Sequence, residues 1–244
     1  MPTSYVHNMN MPSTYRRRRI AIFIVILIGV IGAIVTSGAL PVSQPAMPSD
    51  GSQASSNEPF ASAILETLPI KGRATKTDYS RDQFGGGWSS LQGCDTRNII
   101  LHRDLTDVQV DESCNVTSGI LNDPYTGKII NFTRGSGTSG DVQIDHVVAL
   151  SNAWQTGALL LSPEIRVLLA NDPLELLAVD GPSNQQKSDG DAATWLPPNK
   201  PFRCQYVARQ IAVKQKYGLW VTQAEHDVMS NILDSCPNQR LPTK

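Results

Sequence analysis

Two strand-like segments and a polar segment, all between positions 141 and 195, place the strongest constraint on how this chain folds. The first, D-V-Q-I-D-H-V-V-A-L, predicts a strand at Val142–Ile144 that runs into an Asp-His pair. The second, Leu174–Val179, is a compact apolar run and predicts another strand. A Gly-Pro turn then opens a polar segment that contains Asn184 and Lys187. This pattern predicts polar side chains gathered beside two strands, where a base and a divalent cation can meet.

Shorter patterns predict the rest of an α+β domain. Turn residues at 122–127 separate two strand-like pieces and indicate a hairpin, while Ser-Pro-Glu at 162–164 is typical of a helix start. Thr222 and Glu225 form a capping-box pattern. The predicted strands are Asn98–Leu101, Thr106–Val110, Ile120–Leu121 and Lys128–Phe132, and the predicted helices are Phe60–Leu68, Ser162–Ala170, Gln205–Tyr217 and Thr222–Leu233.

The N-terminal segment predicts export. Arg16–Arg19 precede an apolar run over Ile20–Val35, and no charged residue follows before Asp50. This pattern is typical of a signal peptide, but its length also suits a membrane anchor through residues 20–42, and both interpretations stay open. The chain then divides into a cytoplasmic tail (1–15), the export segment (16–42), a flexible linker (43–70), one globular domain (71–236) and a short tail (237–244).

The four cysteines all lie in the part predicted to be exported. An even number in such a setting favours two disulfides, for which three pairings are possible. We expect the pairs that are local in sequence, Cys94 with Cys114 and Cys204 with Cys236. A zinc site is disfavoured because the chain has no C-x-x-C pair to bind the ion.

The charge balance excludes one class of nucleic-acid-binding protein. The chain has 21 basic and 22 acidic residues, and four of the basic ones are Arg16–Arg19. The remainder carries a formal charge of about −5, whereas proteins that coat nucleic acid present a broad basic surface. An enzyme with a local basic groove is compatible with this balance. A basic run on one predicted helix is interpreted first as a solvated face and second as such a groove: Arg203, Arg209, Lys214 and Lys216.

Several motifs resemble those of the HNH, or ββα-metal, nucleases. They are D-H-V-V-A-L, N-D-P-L-E-L-L-A-V, S-N-Q-Q-K-S-D and T-W-L-P-P, with Y-S-R-D-Q-F-G-G-G-W and G-C-D-T-R-N-I-I-L-H-R-D-L upstream. They are most similar to the GmrSD-type domain of modification-dependent restriction enzymes and to its exported single-domain relatives. The resemblance extends over residues 71–236. It implies an HNH ββα-metal core, extended by short strands and C-terminal helices.

The resemblance also implies roles for individual residues. His146 is expected to be the general base, and Asp145 and Asn184 are expected to bind the metal. Asn171 is expected to hold the loop between the two strands, and Lys187 to contact a phosphate. With Asn184 in the last HNH position the metal has only oxygen ligands, which suit Mg²⁺ first and Mn²⁺ second rather than Zn²⁺.

Arg81 and Arg97 are weaker candidates for contact with nucleic acid. A guanidinium group suits a phosphate, but Arg97 equally suits an ion pair with Asp95 beside the Cys94 disulfide. The glycines at 85–87 lack the Lys-Ser/Thr that follows a phosphate-binding loop and are interpreted as a turn.

The sequence therefore predicts an exported, metal-dependent endonuclease that hydrolyses DNA, with RNA less favoured, to 5′-phosphate and 3′-hydroxyl ends. Neutral imidazole is a suitable base near pH 7, and a divalent cation neutralises the leaving oxygen. Two alternatives stay open: a catalytically silent nucleic-acid-binding or envelope protein of the same fold, and a hydrolase with a nucleophile triad. The triad hydrolase lacks support because no G-x-S-x-G is present. No protein partner is predicted.

Overall fold

The computed structural model describes residues 57–243. The predicted cytoplasmic tail (1–15), the export segment (16–42) and the first part of the linker (43–56) lie outside the described residues. Across residues 57–243, no helix combines the length and apolarity needed to cross a membrane. The described residues form a mixed α/β structure with two disulfides, as the sequence predicts at that level.

The helices and strands alternate along the chain in short segments. The helices are α1 (Ala61–Leu65), α2 (Thr96–Asp104), α3 (Leu150–Gln155), α4 (Pro163–Ala170), α5 (Gly181–Lys187), α6 (Arg203–Tyr217) and α7 (Gln223–Asp234). The strands are β1 (Ser90–Leu91), β2 (Cys94–Asp95), β3 (Leu105–Val110), β4 (Val116–Asn122), β5 (Ile129–Thr133), β6 (Val142–His146) and β7 (Leu176–Asp180). Three 3₁₀ turns lie at Arg81–Phe84, Ala158–Leu160 and Lys200–Phe202.

Within residues 57–243 the strands form three small antiparallel sheets. β1 pairs with β2, β3–β4–β5 form a meander, and β6 pairs with β7. In the last pair His146 lies opposite Leu176, and α5 begins at the residue after β7. Two antiparallel strands followed at once by a helix thus form one compact unit around the Asp-His pair. Both predicted strands and the predicted hairpin are present.

The junction between β7 and α5 fixes where that helix lies. Asp180 caps α5, because its carboxylate accepts hydrogen bonds from the backbone N–H of Ser183 (2.9 Å) and from its hydroxyl (2.7 Å). A Cβ on Gly181 would lie 2.0 Å from the carbonyl oxygen of Gly140, so only glycine allows the chain to pass this close. The start of α5 is therefore packed against the segment that leads into β6.

The predicted strand at Asn98–Leu101 is wrong, because these residues lie in α2. The apolar run Ile99-Ile100-Leu101 favours a strand by composition. Asp95 precedes it, however, and its carboxylate caps the helix by accepting from the backbone N–H of Asn98 at 2.7 Å. Ile100 and Leu101 are then fully buried against the meander. The cap and the tertiary contacts outweigh the local preference of the run.

Part of the predicted linker, and of the predicted C-terminal tail, belongs to the folded domain. Ala61 and Leu65 of α1 are buried, and so is Leu241 near the other end of the chain. The backbone N–H of Ala61 donates to the carbonyl of Gln239 at 2.8 Å. The boundaries drawn at 71 and 236 are therefore too narrow, since apolar side chains beyond both complete the main hydrophobic core.

The two C-terminal helices supply much of that core. Tyr206, Val207 and Ile211 of α6 are fully buried, and the predicted capping box of Thr222 and Glu225 starts α7.

The interpretation of the basic run as a solvated face is wrong for Lys214. Its ammonium is inaccessible and lies 3.1 Å from Glu225 Oε1. This pair fixes α6 to the start of α7.

Both predicted disulfides are confirmed. Cys94 is bonded to Cys114, which links β2 to the turn between β3 and β4. Cys204 is bonded to Cys236, which links the start of α6 to the residues that follow α7. Each disulfide joins segments that are near in sequence, with separations of 20 and 32 residues.

Candidate functional site

A cleft of about 400 Å³ lies beside β6 and α5. It is polar, and five residues singled out in the sequence line it: Arg81, Arg97, Asp145, His146 and Asn184. Further lining residues include Trp88, Gln143 and Asp189. β6 brings Asp145 and His146 to the cleft, and α5 brings Asn184, because the helix follows directly on the strand that pairs with β6. Lys187 and Asn171 do not line this cleft.

His146 is buried at the end of β6, and its ring is held by a backbone carbonyl. Nε2 lies 2.9 Å from the carbonyl oxygen of Ala170. A carbonyl oxygen only accepts, so Nε2 carries the proton and Nδ1 keeps the lone pair. Burial is the largest influence on the pKa of His146 and lowers it to about 3, and the charges of Arg81 and Lys187 act in the same direction. The ring is thus neutral at pH 7.

Trp88 packs flat against the imidazole of His146. The ring centroids are 5.6 Å apart and the planes differ by 8°. Both residues also line a second, smaller cavity of about 220 Å³ together with Gly86 and Gly87. The stack and the hydrogen bond to Ala170 together restrict rotation of the ring. The segment after the three glycines thereby positions His146.

The carboxylate of Asp145 is buried and bonded on both oxygens. Oδ1 accepts from the ammonium of Lys187 at 2.9 Å, and Oδ2 accepts from the phenol of Tyr125. Lys187 also donates to the carbonyl of His146 at 2.8 Å. Burial raises the pKa of Tyr125 well above its ordinary value, and the Asp145 charge adds to this, so the phenol remains a donor.

Lys187 is therefore not where the sequence prediction requires it. The resemblance implies a contact between Lys187 and a phosphate, but the side chain is inaccessible and forms an ion pair with Asp145. It lies at the end of α5, one helical turn beyond Asn184, and faces β6. In this position Lys187 holds the last two residues of the strand rather than a ligand.

Asn171 lies outside the cleft, at the C-terminal end of α4. Its side-chain amide donates to the carbonyl of Val167 at 3.0 Å, and its oxygen accepts from the backbone N–H of Ser89 at 2.8 Å. Asn171 thus fixes the segment between β6 and β7 to the residue after Trp88. Through Trp88 it supports the stack on His146.

Asn184 and Gln143 face each other across β6 and α5. The amide nitrogen of Asn184 lies 3.0 Å from Oε1 of Gln143 and donates to it. This bond orients the side chain of Asn184 and leaves its own oxygen free to accept. Asp145 and Asn184 thus offer the cleft a carboxylate and an amide oxygen.

The wall of the cleft has two arginines without a carboxylate partner among the described residues, whereas its carboxylates are paired. Its two carboxylates each have a lysine partner, since Asp145 pairs with Lys187 and Asp189 pairs with Lys76 at 2.6 Å. Arg81 is exposed and has no ion pair within residues 57–243. Arg97 donates to the carbonyls of Ser139 and Val142 rather than to Asp95, so the alternative ion pair is wrong. Two unpaired guanidinium groups favour an anionic ligand.

Sequence reasoning missed two aromatic residues of the site. Trp88 lies in a motif that carries the family resemblance, and that motif is the signal by which it could have been found. Tyr125 lies in the turn between β4 and β5, where the sequence indicates only turn chemistry. Its bond to Asp145 joins residues 20 positions apart, and no local pattern encodes it.

Comparison with known proteins agrees with the resemblance seen in the sequence. Residues 95–232 match the family described as GmrSD restriction endonucleases, C-terminal domain. An "Uncharacterized secreted protein" from Arthroderma benhamiae is 38% identical over 205 residues, which are 83% of this chain and 95% of that protein. No solved structure matches. The matched region contains the strand pair, α5 and every predicted site residue except Arg81. On these grounds the chain belongs to the family of GmrSD restriction endonuclease C-terminal domains.

Proposed function

We propose that this protein is a secreted, metal-dependent HNH endonuclease that hydrolyses phosphodiester bonds of DNA. The observation that carries the proposal is one cleft lined by a neutral histidine, a carboxylate, an amide and two unpaired arginines. Membership of an endonuclease domain family supports the reaction class. The name of the fungal relative supports export, as does the arginine-led apolar segment at residues 16–42.

The side chains at the cleft fit Mg²⁺ better than Zn²⁺. Within residues 57–243 no three His, Cys, Asp or Glu side chains are grouped to hold a metal, whereas zinc sites commonly take three or four such ligands. Mg²⁺ commonly takes one or two carboxylates and fills its other positions with water and phosphate oxygens. Asp145 and Asn184 would hold it, since each oxygen of the Asp145 carboxylate has two acceptor positions and uses one of them, for Lys187 or for Tyr125. Mn²⁺ is the second choice.

A bound divalent cation would supply charge neutralisation at the leaving 3′ oxygen. His146 accepts the proton of the attacking water at Nδ1, because Nε2–H is already donated to Ala170. Trp88 and Ala170 hold the imidazole ring in one orientation before the substrate binds. The ring therefore loses little conformational entropy in the reaction. The negative charge of a bound phosphodiester acts to raise the low pKa of His146 and so strengthens the base. Cleavage on the 3′ oxygen leaves 5′-phosphate and 3′-hydroxyl ends.

The arginines at the rim act on the substrate rather than on the bond that breaks. Arg81 is exposed and free to pair with a phosphate. Arg97 uses Nη2 for two backbone carbonyls and keeps its other donors. Arginines that contact phosphates bind the backbone of the nucleic acid, and such contacts do not distinguish one base sequence from another. We prefer DNA to RNA as the substrate because the matched family is described as a domain of restriction endonucleases.

Cleavage assays with a matched histidine pair test the proposal. The full chain, incubated with plasmid DNA and Mg²⁺, is expected to nick or linearise the plasmid, and chelator is expected to stop it. His146→Ala is expected to reduce the rate by at least 10²-fold, in line with loss of a general base. His102→Ala is the control, since His102 is exposed on α2 and lies outside the cleft.

The outcomes separate the rival functions. Plasmid binding without cleavage, insensitive to chelator, would mean a silent nucleic-acid-binding protein. Cleavage that survives His146→Ala at the full rate would remove the mechanism. Total RNA in parallel reactions ranks the two substrates, and cleavage of RNA alone would replace DNA in the proposal.

A further inference from the structure

Two segments of the chain have the N-x-Ser/Thr pattern. They are Asn115-Val116-Thr117 and Asn131-Phe132-Thr133. In proteins that pass through a eukaryotic secretory pathway, this pattern marks asparagines that accept an N-linked glycan. The two asparagines lie in very different surroundings, and these decide which one has room for a glycan.

Asn131 lies on the open edge of the three-stranded meander. It is the middle residue of β5, which pairs with β4 on one side and, within residues 57–243, with no strand on the other. Alternate residues of a strand point to opposite faces. Phe132 is 2% exposed and faces the core, so Asn131 and Thr133 share the opposite face, and both are exposed. The Asn131 amide makes no hydrogen bond to any described residue.

Asn115 is constrained where Asn131 is free. It lies in the turn between β3 and β4 and is half-buried beside the disulfide-bonded Cys114. Its amide nitrogen donates to Asp111 Oδ2 at 3.0 Å, and its oxygen accepts from Asn98 at 3.3 Å. A glycan on this nitrogen would have to fit between the turn and α2.

A glycan on Asn131 leaves the cleft free and covers an exposed edge. No residue of β3, β4 or β5 lines the 400 Å³ cleft. An edge strand with unpaired backbone groups can pair with a second molecule, and proteins commonly block such edges. β5 also exposes 70% of Ile129, so it combines an open edge with an apolar side chain. A large solvated group in the middle of the strand prevents that pairing.

We propose that Asn131 is an N-glycosylation site and that its glycan shields the edge of β5. The proposal rests on the export that forms part of the proposed function. The donor is an oligosaccharide joined to a lipid pyrophosphate. The amide nitrogen of Asn131 forms a bond to the anomeric carbon, the bond from that carbon to the pyrophosphate oxygen breaks, and the lipid pyrophosphate leaves with that electron pair while the amide loses one proton.

Expression of the full chain in a secretory yeast host tests this site. Protein recovered from the medium and from membranes is expected to migrate faster on a denaturing gel after treatment with a peptide N-glycosidase. That enzyme converts a glycosylated asparagine to aspartate, so the peptide with position 131 is expected to contain Asp after treatment. The peptide with position 115 is expected to keep Asn.

Four variants keep the result interpretable. Asn131→Gln and Thr133→Ala are expected to abolish the mobility shift, while Thr133→Ser retains the pattern and is expected to keep it. Size-exclusion chromatography is expected to show more oligomer for Asn131→Gln than for Asn115→Gln. Unmodified Asn131 in protein from the medium would overturn the glycan alone. Unmodified protein found only inside the cell would overturn both export and the glycan, and neither result bears on plasmid cleavage.

Discussion

Replacement of Lys187 by methionine tests whether the site is organised by a buried ion pair. Met has a similar length and removes only the ammonium, which is inaccessible and 2.9 Å from a carboxylate that is 6% exposed. The change leaves Asp145 buried without its cation and also removes the 2.8 Å bond to the carbonyl of His146. Loss of one partner from a buried pair costs about 3–5 kcal/mol. For a domain of this size the midpoint of thermal unfolding falls about 2–4 °C per kcal/mol, so we expect a decrease of about 6–20 °C.

Thermal and urea unfolding, followed by circular dichroism in the presence of chelator, measure this change. Lys76→Met is the matched control, because the Lys76–Asp189 pair is half-exposed on both sides and is expected to contribute less than about 1 kcal/mol. A third variant, Asp145→Asn with Lys187→Met, removes both charges and is expected to recover part of the loss.

The reasoning is refuted if Lys187→Met unfolds within about 1 kcal/mol of the wild type, as the control does. A stable Lys187→Met variant with a raised KM for plasmid would instead support the prediction from the sequence that Lys187 contacts a phosphate. A decrease in both stability and kcat supports a positioning role.

Two further predictions concern stability. The pKa of His146 is about 3 in the folded state and 6.5 in the unfolded state, so unfolding takes up a proton between these values. The free energy of unfolding, measured with urea, is therefore expected to be fully present above pH 6.5 and to fall as the pH decreases toward 3. His146→Gln is expected to reduce the dependence of the free energy of unfolding on pH by up to about 1.4 kcal/mol per pH unit. An unchanged pH dependence would show that the ring of His146 is solvated. Replacement of both Cys204 and Cys236 by serine opens a loop with a separation of 32 residues and is expected to cost about 3–4 kcal/mol. A loss below about 1 kcal/mol would show that the disulfide does not constrain the unfolded chain.

The parts of the fold that follow local rules were predictable. The capping box at Thr222 and Glu225 starts α7, and the turn residues at 122–127 separate β4 from β5. The disulfides were predicted from the even number of cysteines and the nearness of each pair in sequence, and the structure has both pairs. Where a local rule competed with another, as in α2, composition indicated a strand but the Asp95 cap and burial produced a helix.

Five candidate site residues were predicted to act at one site, and the structure brings them to one cleft. The resemblance placed Asp145, His146 and Asn184 in the site because each stands at a motif position. Their supports were not predictable in the same way. Tyr125 reaches the site from a turn 20 positions before Asp145, and Trp88 from a segment 58 positions before His146. A single sequence without aligned relatives has no pattern that links such positions.

By itself, the sequence determined the family and the short segment in which the candidate chemistry lies. It predicted the export segment and the disulfide pairs. The tertiary structure alone decided that Lys187 faces Asp145 rather than solvent, that Trp88 covers the imidazole, and that Arg81 and Arg97 line the cleft. The physical reason is that protonation, burial and ion pairing depend on which groups share a space. Chain neighbours set the strands and caps, but distant neighbours set the electrostatics of the site.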